Sequence, residues 1–138
     1  FAMPIAASGP YFDWDEEKQY GAGDLSHKHA AVAAGLGVIG KSTLLITHEY
    51  GSMVNLVSVI TDIELEANKL VEENLCPPHC RLCIDACPAQ ALQGNAINQA
   101  KCRSHCWTKL PKGFAVLQCW KCRSICPANN RVQNNQWE

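Results

Sequence analysis

The sequence predicts an α+β fold in two consecutive parts, and three observations support this prediction. The first 66 residues combine one helix-forming run with short β-rich runs, as in a mixed α/β part. All nine cysteines lie between Cys76 and Cys126, among prolines and short loops. Their spacing repeats, which indicates a metal-cluster module. We therefore divide the chain at residues 1–66 and 67–138, with the charged run EANKLVEEN as a joining helix or linker.

The first part is predicted to contain a helix that leads through a glycine turn into strands. Ser26 is a suitable N-cap, and the alanine-rich run after it favours a helix. Gly35 stands where helices commonly end in the left-handed conformation. The apolar runs STLLIT (42–47) and VNLVSVIT (54–61) flank HEYGS and are rich in β-formers. We expect them to form a β-hairpin or two adjacent strands.

The segment GLGVIGKST matches two nucleotide-binding patterns at once. Gly35, Gly37 and Gly40 spell G-x-G-x-x-G, and Lys41 and Ser42 complete a phosphate loop. Both patterns require a strand, then a glycine turn, then a helix whose N-terminus faces the phosphates. Here a helix enters the turn and a strand leaves it. The sequence therefore favours glycines that permit a tight turn, or a turn that borders another cofactor, over a nucleotide site.

Composition excludes several classes of function. The net charge is −1 and the basic residues are scattered, so no nucleic-acid-binding stripe is expected. No apolar run approaches the length of about 20 residues that spans a bilayer, and no signal-peptide pattern is present. We expect a cytoplasmic protein with no membrane partner. Because Phe1 is not an initiator Met, we also expect the chain to continue upstream.

The cysteine-rich part contains one internal repeat. CRLCIDACPAQ (80–90) and CWKCRSICPAN (119–129) both follow C-x2-C-x3-C-P. In two-cluster ferredoxins, the cysteine before the proline ligates the other cluster. The proline ends the loop and allows a short helix, such as one over AQAL. The usual first cysteine is displaced in both copies, because Cys76 precedes Cys80 by four residues and Cys119 has none three residues before it.

The crossing rule assigns these cysteines to two [4Fe-4S] clusters. Cluster one takes Cys76, Cys80, Cys83 and Cys126. Cluster two takes Cys87, Cys102, Cys119 and Cys122, with Cys106 as the alternative to Cys102. An odd number of cysteines does not suit a disulfide framework. Zinc is the stronger competitor, since both C-x2-C pairs resemble zinc knuckles. The repeated C-P extension favours iron–sulfur clusters, because tetrahedral zinc does not need it.

Two prolines follow the first cluster-one cysteine. Pro77 and Pro78 remove two backbone N–H donors directly after Cys76. Fewer N–H groups are then left to bond the cluster sulfurs. Because such hydrogen bonds raise the reduction potential, we expect the prolines to lower the potential of cluster one.

These segments together resemble one known family. The run SHKHAAVAAGLGVIGKSTLLITHEYGSMVNLVSVITDIELE, followed by CRLCIDACPAQAL and preceded by PIAASGPY, resembles the epoxyqueuosine reductase family over about residues 3–128. The resemblance implies a nitroreductase-like, corrinoid-binding α/β domain, of which residues 1–66 would be the C-terminal portion. It also implies a ferredoxin-like double [4Fe-4S] domain at residues 67–138. Reductive dehalogenases are similar in architecture.

The resemblance also implies a reaction. Electrons would pass from an external donor of the ferredoxin or flavodoxin type, through the clusters, to a cobalamin cobalt. In this family the reduced cofactor removes the oxygen of an epoxide on a modified tRNA base, so a modified nucleoside or other small substrate is expected. The residues implied to border the corrinoid are His27, Lys28, His29, Gly35, Gly37, Gly40 and Lys41.

This chain departs from the family pattern in three respects. It has an extra residue between Cys76 and Cys80 and an extra cysteine at position 106. Neither Asp13 nor Asp15 matches the catalytic acid, so no catalytic residue is assigned. The alternative function is a non-catalytic, two-cluster electron carrier whose first part docks a partner.

Overall fold

The structure, a computed structural model, describes residues 1–6 and 13–129. Residues 7–12, which hold most of the PIAASGPY segment, and the last nine residues lie outside the described ranges. Short helices are interspersed among small antiparallel sheets, which confirms the predicted α+β class. The elements are β1 (Ala2–Ile5), β2 (Asp13–Asp15), β3 (Tyr20–Ala22), α1 (His27–Ala33), β4 (Val38–Ile39), β5 (Leu45–Ile46), β6 (Ser58–Thr61), α2 (Leu82–Asp85), α3 (Gln99–Cys106), β7 (Trp107–Lys109), β8 (Ala115–Leu117) and α4 (Lys121–Ser124).

The strands of the described residues form antiparallel pairs. β2 pairs with β3, β4 with β5, and β7 with β8, each with its neighbour in the chain. β1 pairs instead with β6, far along the chain, so that Ala2 faces Thr61 and Ile5 faces Ser58. The predicted pairing of the two apolar runs is therefore wrong. β5 turns back onto β4, with the Gly40 N–H donating to the Leu44 carbonyl at 2.9 Å, whereas β6 pairs with the distant β1.

The helix–turn–strand order predicted for the glycine segment is confirmed. Ser26 is extended at the N-cap, and α1 follows from His27 to Ala33. Gly35 has a φ of 72°, the left-handed conformation that a side chain disfavours. β4 then begins at Val38. Because the helix enters the turn with its C-terminal carbonyls, the turn lacks the N–H groups that a phosphate loop presents.

Of two local expectations, one is confirmed and one is corrected. The charged run at 66–74, expected as a joining helix or a linker, is a linker without a helix. Its backbone packs against the end of α1, where the Asn68 side chain donates to the Ala34 carbonyl at 3.3 Å. AQAL is also not helical, because Gln90 has a positive φ of 48° and ends the turn after the proline. The short helices α2 and α4 instead lie before the prolines and carry Cys83 and Cys122.

A small apolar core joins the two parts of the chain. Ile46 of β5, Leu75 and Ala128 are buried together, and Cys76 and Cys126 pack against them. Residues of the first part therefore stabilise the position of cysteines in the second by excluding water from their contact. None of the helices in residues 1–6 and 13–129 is long and apolar enough to cross a membrane.

Candidate metal centre

The first group of cysteines surrounds Cys83. Cys83 lies on α2 and is buried, and burial is the main cause that raises the pKa of its thiol. The charges of Cys76, Cys126 and Cys80 raise that pKa further, so these sulfurs are near neighbours. Cys126 reaches the group because it lies two residues after the end of α4, which packs against α2. Both C-x3-C-P repeats therefore contribute to this one group.

The second group surrounds Cys102 on α3. Burial raises the pKa of the Cys102 thiol to about 12, and Cys106, Cys122 and Cys87 contribute as negatively charged neighbours. The pKa of Cys122 is raised by burial and then by Cys119 and Cys87. Cys106 is itself buried one helical turn after Cys102. The second group therefore holds five cysteines.

The structure thus brings together the cysteines of each predicted set. Their assignment as cluster ligands stays a prediction, and so does the choice between Cys102 and Cys106. Among the residues that the structure describes, no three His, Cys, Asp or Glu side chains form a site for a single metal ion. The described cysteines form no disulfide, so all of their thiols are available to bind iron.

Lys41 lies against the loop between the first two cysteines. Its ammonium group donates hydrogen bonds to the backbone carbonyls of Pro77 at 3.2 Å, Pro78, and Cys80 at 3.0 Å. Lys41 and Cys76 also line a cleft of about 360 Å³. The lysine of the apparent phosphate loop therefore binds backbone carbonyls beside the first cysteine group.

A larger cavity of about 920 Å³ lies beside the start of α1. His27, Lys28 and His29 all line it. The Lys28 ammonium is turned inward and donates to the Thr43 carbonyl at 2.6 Å, and burial lowers its pKa. The His27 ring is held by the Ser58 hydroxyl at 2.7 Å. The three residues implied to border a corrinoid therefore do share one cavity.

Arg123 joins this cavity to the second cysteine group. Its side chain lines the cavity, and it follows Cys122 directly in the chain. The guanidinium donates to the Val54 carbonyl at 2.7 Å and lies 5.4 Å from the centre of the Trp120 ring. Its positive charge opposes the rise in the pKa of Cys122. The cavity and the cysteine group are therefore adjacent.

The glycines implied to border a corrinoid are separated by the fold. Gly40 lines the smaller cleft with Lys41, whereas Gly35 and Gly37 are not among the lining residues of either cavity. A Cβ on Gly35 would overlap the Lys69 carbonyl oxygen, and one on Gly37 would overlap that of Ile46. These glycines permit close backbone approach within the chain. Their contact with a corrinoid stays a prediction.

Comparisons with known proteins identify relatives of this chain. No protein-family model matches the chain. An epoxyqueuosine reductase of Gloeobacter violaceus is 39% identical over 123 residues, which cover 80% of this chain and 38% of that protein. One of Bacillus cereus is 33% identical over 129 residues, which cover 85% of this chain and 33% of that protein. The chain belongs to the epoxyqueuosine reductase-like family. It spans about a third of the length of these curated relatives.

Solved structures of epoxyqueuosine reductases share the fold of this epoxyqueuosine reductase-like chain. A selenomethionine-labelled epoxyqueuosine reductase matches with a TM-score of 0.62 and 34% identity, over 78% of this chain and 31% of that one. An epoxyqueuosine reductase crystallised with an epoxyqueuosine-modified tRNA-Tyr stem loop matches with a TM-score of 0.61 and 31% identity over the same shares.

Sequence reasoning missed three residues that connect the first part to the second cysteine repeat. Ser52, Arg123 and Asn129 connect the HEYGS turn to the second repeat, and Ser52 donates to the Arg123 carbonyl at 3.1 Å. A signal was available for two of them. Arg123 and Asn129 lie inside the segment CWKCRSICPAN, where every residue is within three positions of a cysteine. No local signal marks Ser52, because its partners are more than 70 residues away.

Proposed function

We propose that this chain binds two [4Fe-4S] clusters and is the electron-transfer part of an epoxyqueuosine reductase-like, corrinoid-dependent reductase. One observation carries the proposal: the cysteines form two groups, and each group takes members from both C-x3-C-P repeats. That crossing is the ligand pattern of double-cluster ferredoxins. We accordingly propose a ferredoxin-like module in residues 67–138, and in residues 1–66 the end of a nitroreductase-like, corrinoid-binding domain.

The donor sets fit iron–sulfur clusters. Cluster one would be held by Cys76, Cys80, Cys83 and Cys126. Cluster two would be held by Cys87, Cys102, Cys119 and Cys122, with Cys106 beside them. Zinc would draw four sulfurs to about 2.3 Å from one ion, whereas a cubane keeps its ligands farther apart. The C-P extension of both repeats, which tetrahedral zinc does not need, supports the cluster over zinc. When bound, such clusters carry single electrons.

The cavity beside α1 supports the corrinoid part of the proposal. Its volume of about 920 Å³ is in the range of sites for large ligands. His27, Lys28 and His29 would border the corrinoid there, and the cofactor would supply the reductive chemistry. His29 is exposed and its ring is hydrogen-bonded locally to the Ser26 hydroxyl, whereas His27 and Lys28 are hydrogen-bonded to more distant residues. These two side chains would therefore shape the wall of the cavity.

Arg123 has a distinct task in this proposal. Its side chain lines the cavity, its charge acts to lower the pKa of Cys122, and its guanidinium is fixed by the Val54 carbonyl. A fixed positive charge beside a cluster-two thiolate favours the reduced, more negative state of that cluster. Arg123 would therefore keep cluster two beside the cavity and raise its reduction potential.

The substrate and donor are also part of the proposal. The relative crystallised with an epoxyqueuosine-modified tRNA stem loop supports a modified nucleoside as substrate. Electrons would come from a ferredoxin or flavodoxin type of protein in the cytoplasm.

Anaerobic reconstitution tests the proposal. Iron and sulfide analysis should give about eight of each per chain, with the broad visible absorption of cubanes. A content of about four iron and four sulfide per chain would mean that only one cluster is bound. Colourless, iron-free protein would overturn the proposal. Adding cobalamin should then change the cobalt spectrum and give a complex that survives gel filtration. Clusters without any cobalamin binding would instead support the non-catalytic electron carrier.

A further inference from the structure

Lys41 makes contacts that the proposed function does not explain. Its ammonium group carries three N–H donors, and it meets three backbone carbonyls, those of Pro77, Pro78 and Cys80. All three acceptors belong to the loop between Cys76 and Cys80. A lysine from the turn between β4 and β5 therefore uses its whole hydrogen-bonding capacity on a loop more than 30 residues away.

This loop needs an external donor. Pro77 and Pro78 have no backbone N–H, so the loop can form few hydrogen bonds of its own. Within it, the Cys80 N–H donates to the Pro77 carbonyl at 3.1 Å. The chain also has four-residue spacing between Cys76 and Cys80, in place of the three-residue spacing of ferredoxins. The hydrogen bonds from Lys41 therefore fix the conformation of this longer, proline-containing loop, which its own backbone hydrogen bonds do not do.

Lys41 also places a positive charge at this loop. The ammonium lies 3.0 Å from the carbonyl oxygen of Cys80 and lines the same cleft as Cys76. A nearby cation stabilises the reduced cluster more than the oxidised one, because reduction adds a negative charge. The lysine charge therefore opposes the low potential expected from the two missing proline N–H groups.

We propose that Lys41 is a positioning residue that holds the Cys76–Cys80 loop in shape and raises the reduction potential of cluster one. This inference rests on the proposed function, since it requires cluster one to be present. It assigns to the lysine of the phosphate-loop pattern a task unrelated to nucleotides. The task depends on both the positive charge and the multiple donors of the side chain.

The test compares three variants of the reconstituted protein. Lys41→Met removes the charge and the donors, and Lys41→Arg keeps both. Lys18→Met is the matched control, because Lys18 lies in the turn between β2 and β3, outside the cysteine-rich part, and its side chain is 77% exposed. Iron content is measured first, and then both midpoint potentials by redox titration with electron paramagnetic resonance.

We expect Lys41→Met to lower one of the two potentials and leave the other unchanged, or to lose one cluster's iron. Lys41→Arg should stay near the wild type, and Lys18→Met should match it. Equal potentials and iron contents in Lys41→Met and wild type would overturn the inference, as would Lys41→Arg behaving like Lys41→Met. Wild-type protein without iron would overturn the proposed function itself, which keeps the two failures distinct.

Discussion

The side-chain oxygen of Asn129 accepts the backbone N–H of Ser52 at 2.9 Å and lies 3.1 Å from the Ser52 hydroxyl. The Asn129 amide group also donates to the Arg123 carbonyl at 2.7 Å. Ser52 is buried, with 1% of its surface exposed. One asparagine therefore ties the HEYGS turn of the first part to the end of the second cysteine repeat.

Asn129→Ala should lower the free energy of unfolding by about 2 kcal/mol, because it leaves the buried Ser52 N–H without its acceptor. Anaerobic urea denaturation of the reconstituted protein measures the change. Asn95→Ala is the control, since Asn95 is exposed, and it should stay within about 0.5 kcal/mol of wild type. Equal stability of the two variants would contradict a structural role for Asn129.

Gly37→Ala should destabilise the chain by about 1–3 kcal/mol, because the new Cβ would overlap the Ile46 carbonyl and force the backbone apart. Thermal unfolding of the reconstituted protein gives the difference. Gly23→Ala provides the comparison, since a Cβ there meets no atom within 4 Å. If both alanine variants melted together with wild type, Gly37 would not be required for backbone packing.

Cys102→Ala should reduce the iron content from about eight to about four atoms per chain, because cluster two would lose a ligand. Cys106→Ala should keep about eight, since Cys106 is the extra cysteine of the group. Iron and sulfide analysis after reconstitution separates the two variants. The reverse pattern would make Cys106 the ligand, and retention of all iron in both single variants would show that either cysteine can serve.

Loss of the proton from the buried Lys28 ammonium should make the free energy of unfolding rise with pH. Its pKa is lowered from 10.5 by burial, so the folded protein loses this proton at a lower pH than the unfolded chain. The unfolded state then binds more protons between the lowered pKa and 10.5, and the free energy of unfolding increases across that window. Comparison with Lys28→Met isolates the effect, because other titrating groups contribute equally to both proteins.

We therefore subtract the free energy of unfolding of Lys28→Met from that of the wild type. This difference should increase from neutral pH towards pH 10. Urea denaturation at a series of pH values measures it. A difference that stayed constant or fell with pH would mean that the Lys28 ammonium is not desolvated. The hydrogen bond to the Thr43 carbonyl would persist in either case, since a neutral amine still donates.

Local chemistry made parts of this protein predictable from sequence. Ser26, the alanine run and Gly35 gave the correct order of helix, turn and strand, because capping and left-handed glycine are properties of a few neighbouring residues. The same order showed that the glycine segment is not a nucleotide-binding loop, because such loops run from a strand into a helix. The repeated cysteine spacing likewise predicted two sets of cysteines that the structure brings together, although their ligand role stays a proposal.

Long-range contacts decided what the sequence left open. β6 pairs with β1 and β5 pairs with β4, and no local pattern in the sequence specifies which strand a β-rich run will pair with. The target of Lys41 and the partner of Ser52 depend on the same packing, since each contact joins residues more than 30 positions apart. The sequence by itself determined the helix–turn–strand order around Gly35 and the cysteine chemistry of the two repeats. The tertiary structure determined which of them meet, because their free energy of contact exists only after the chain has folded.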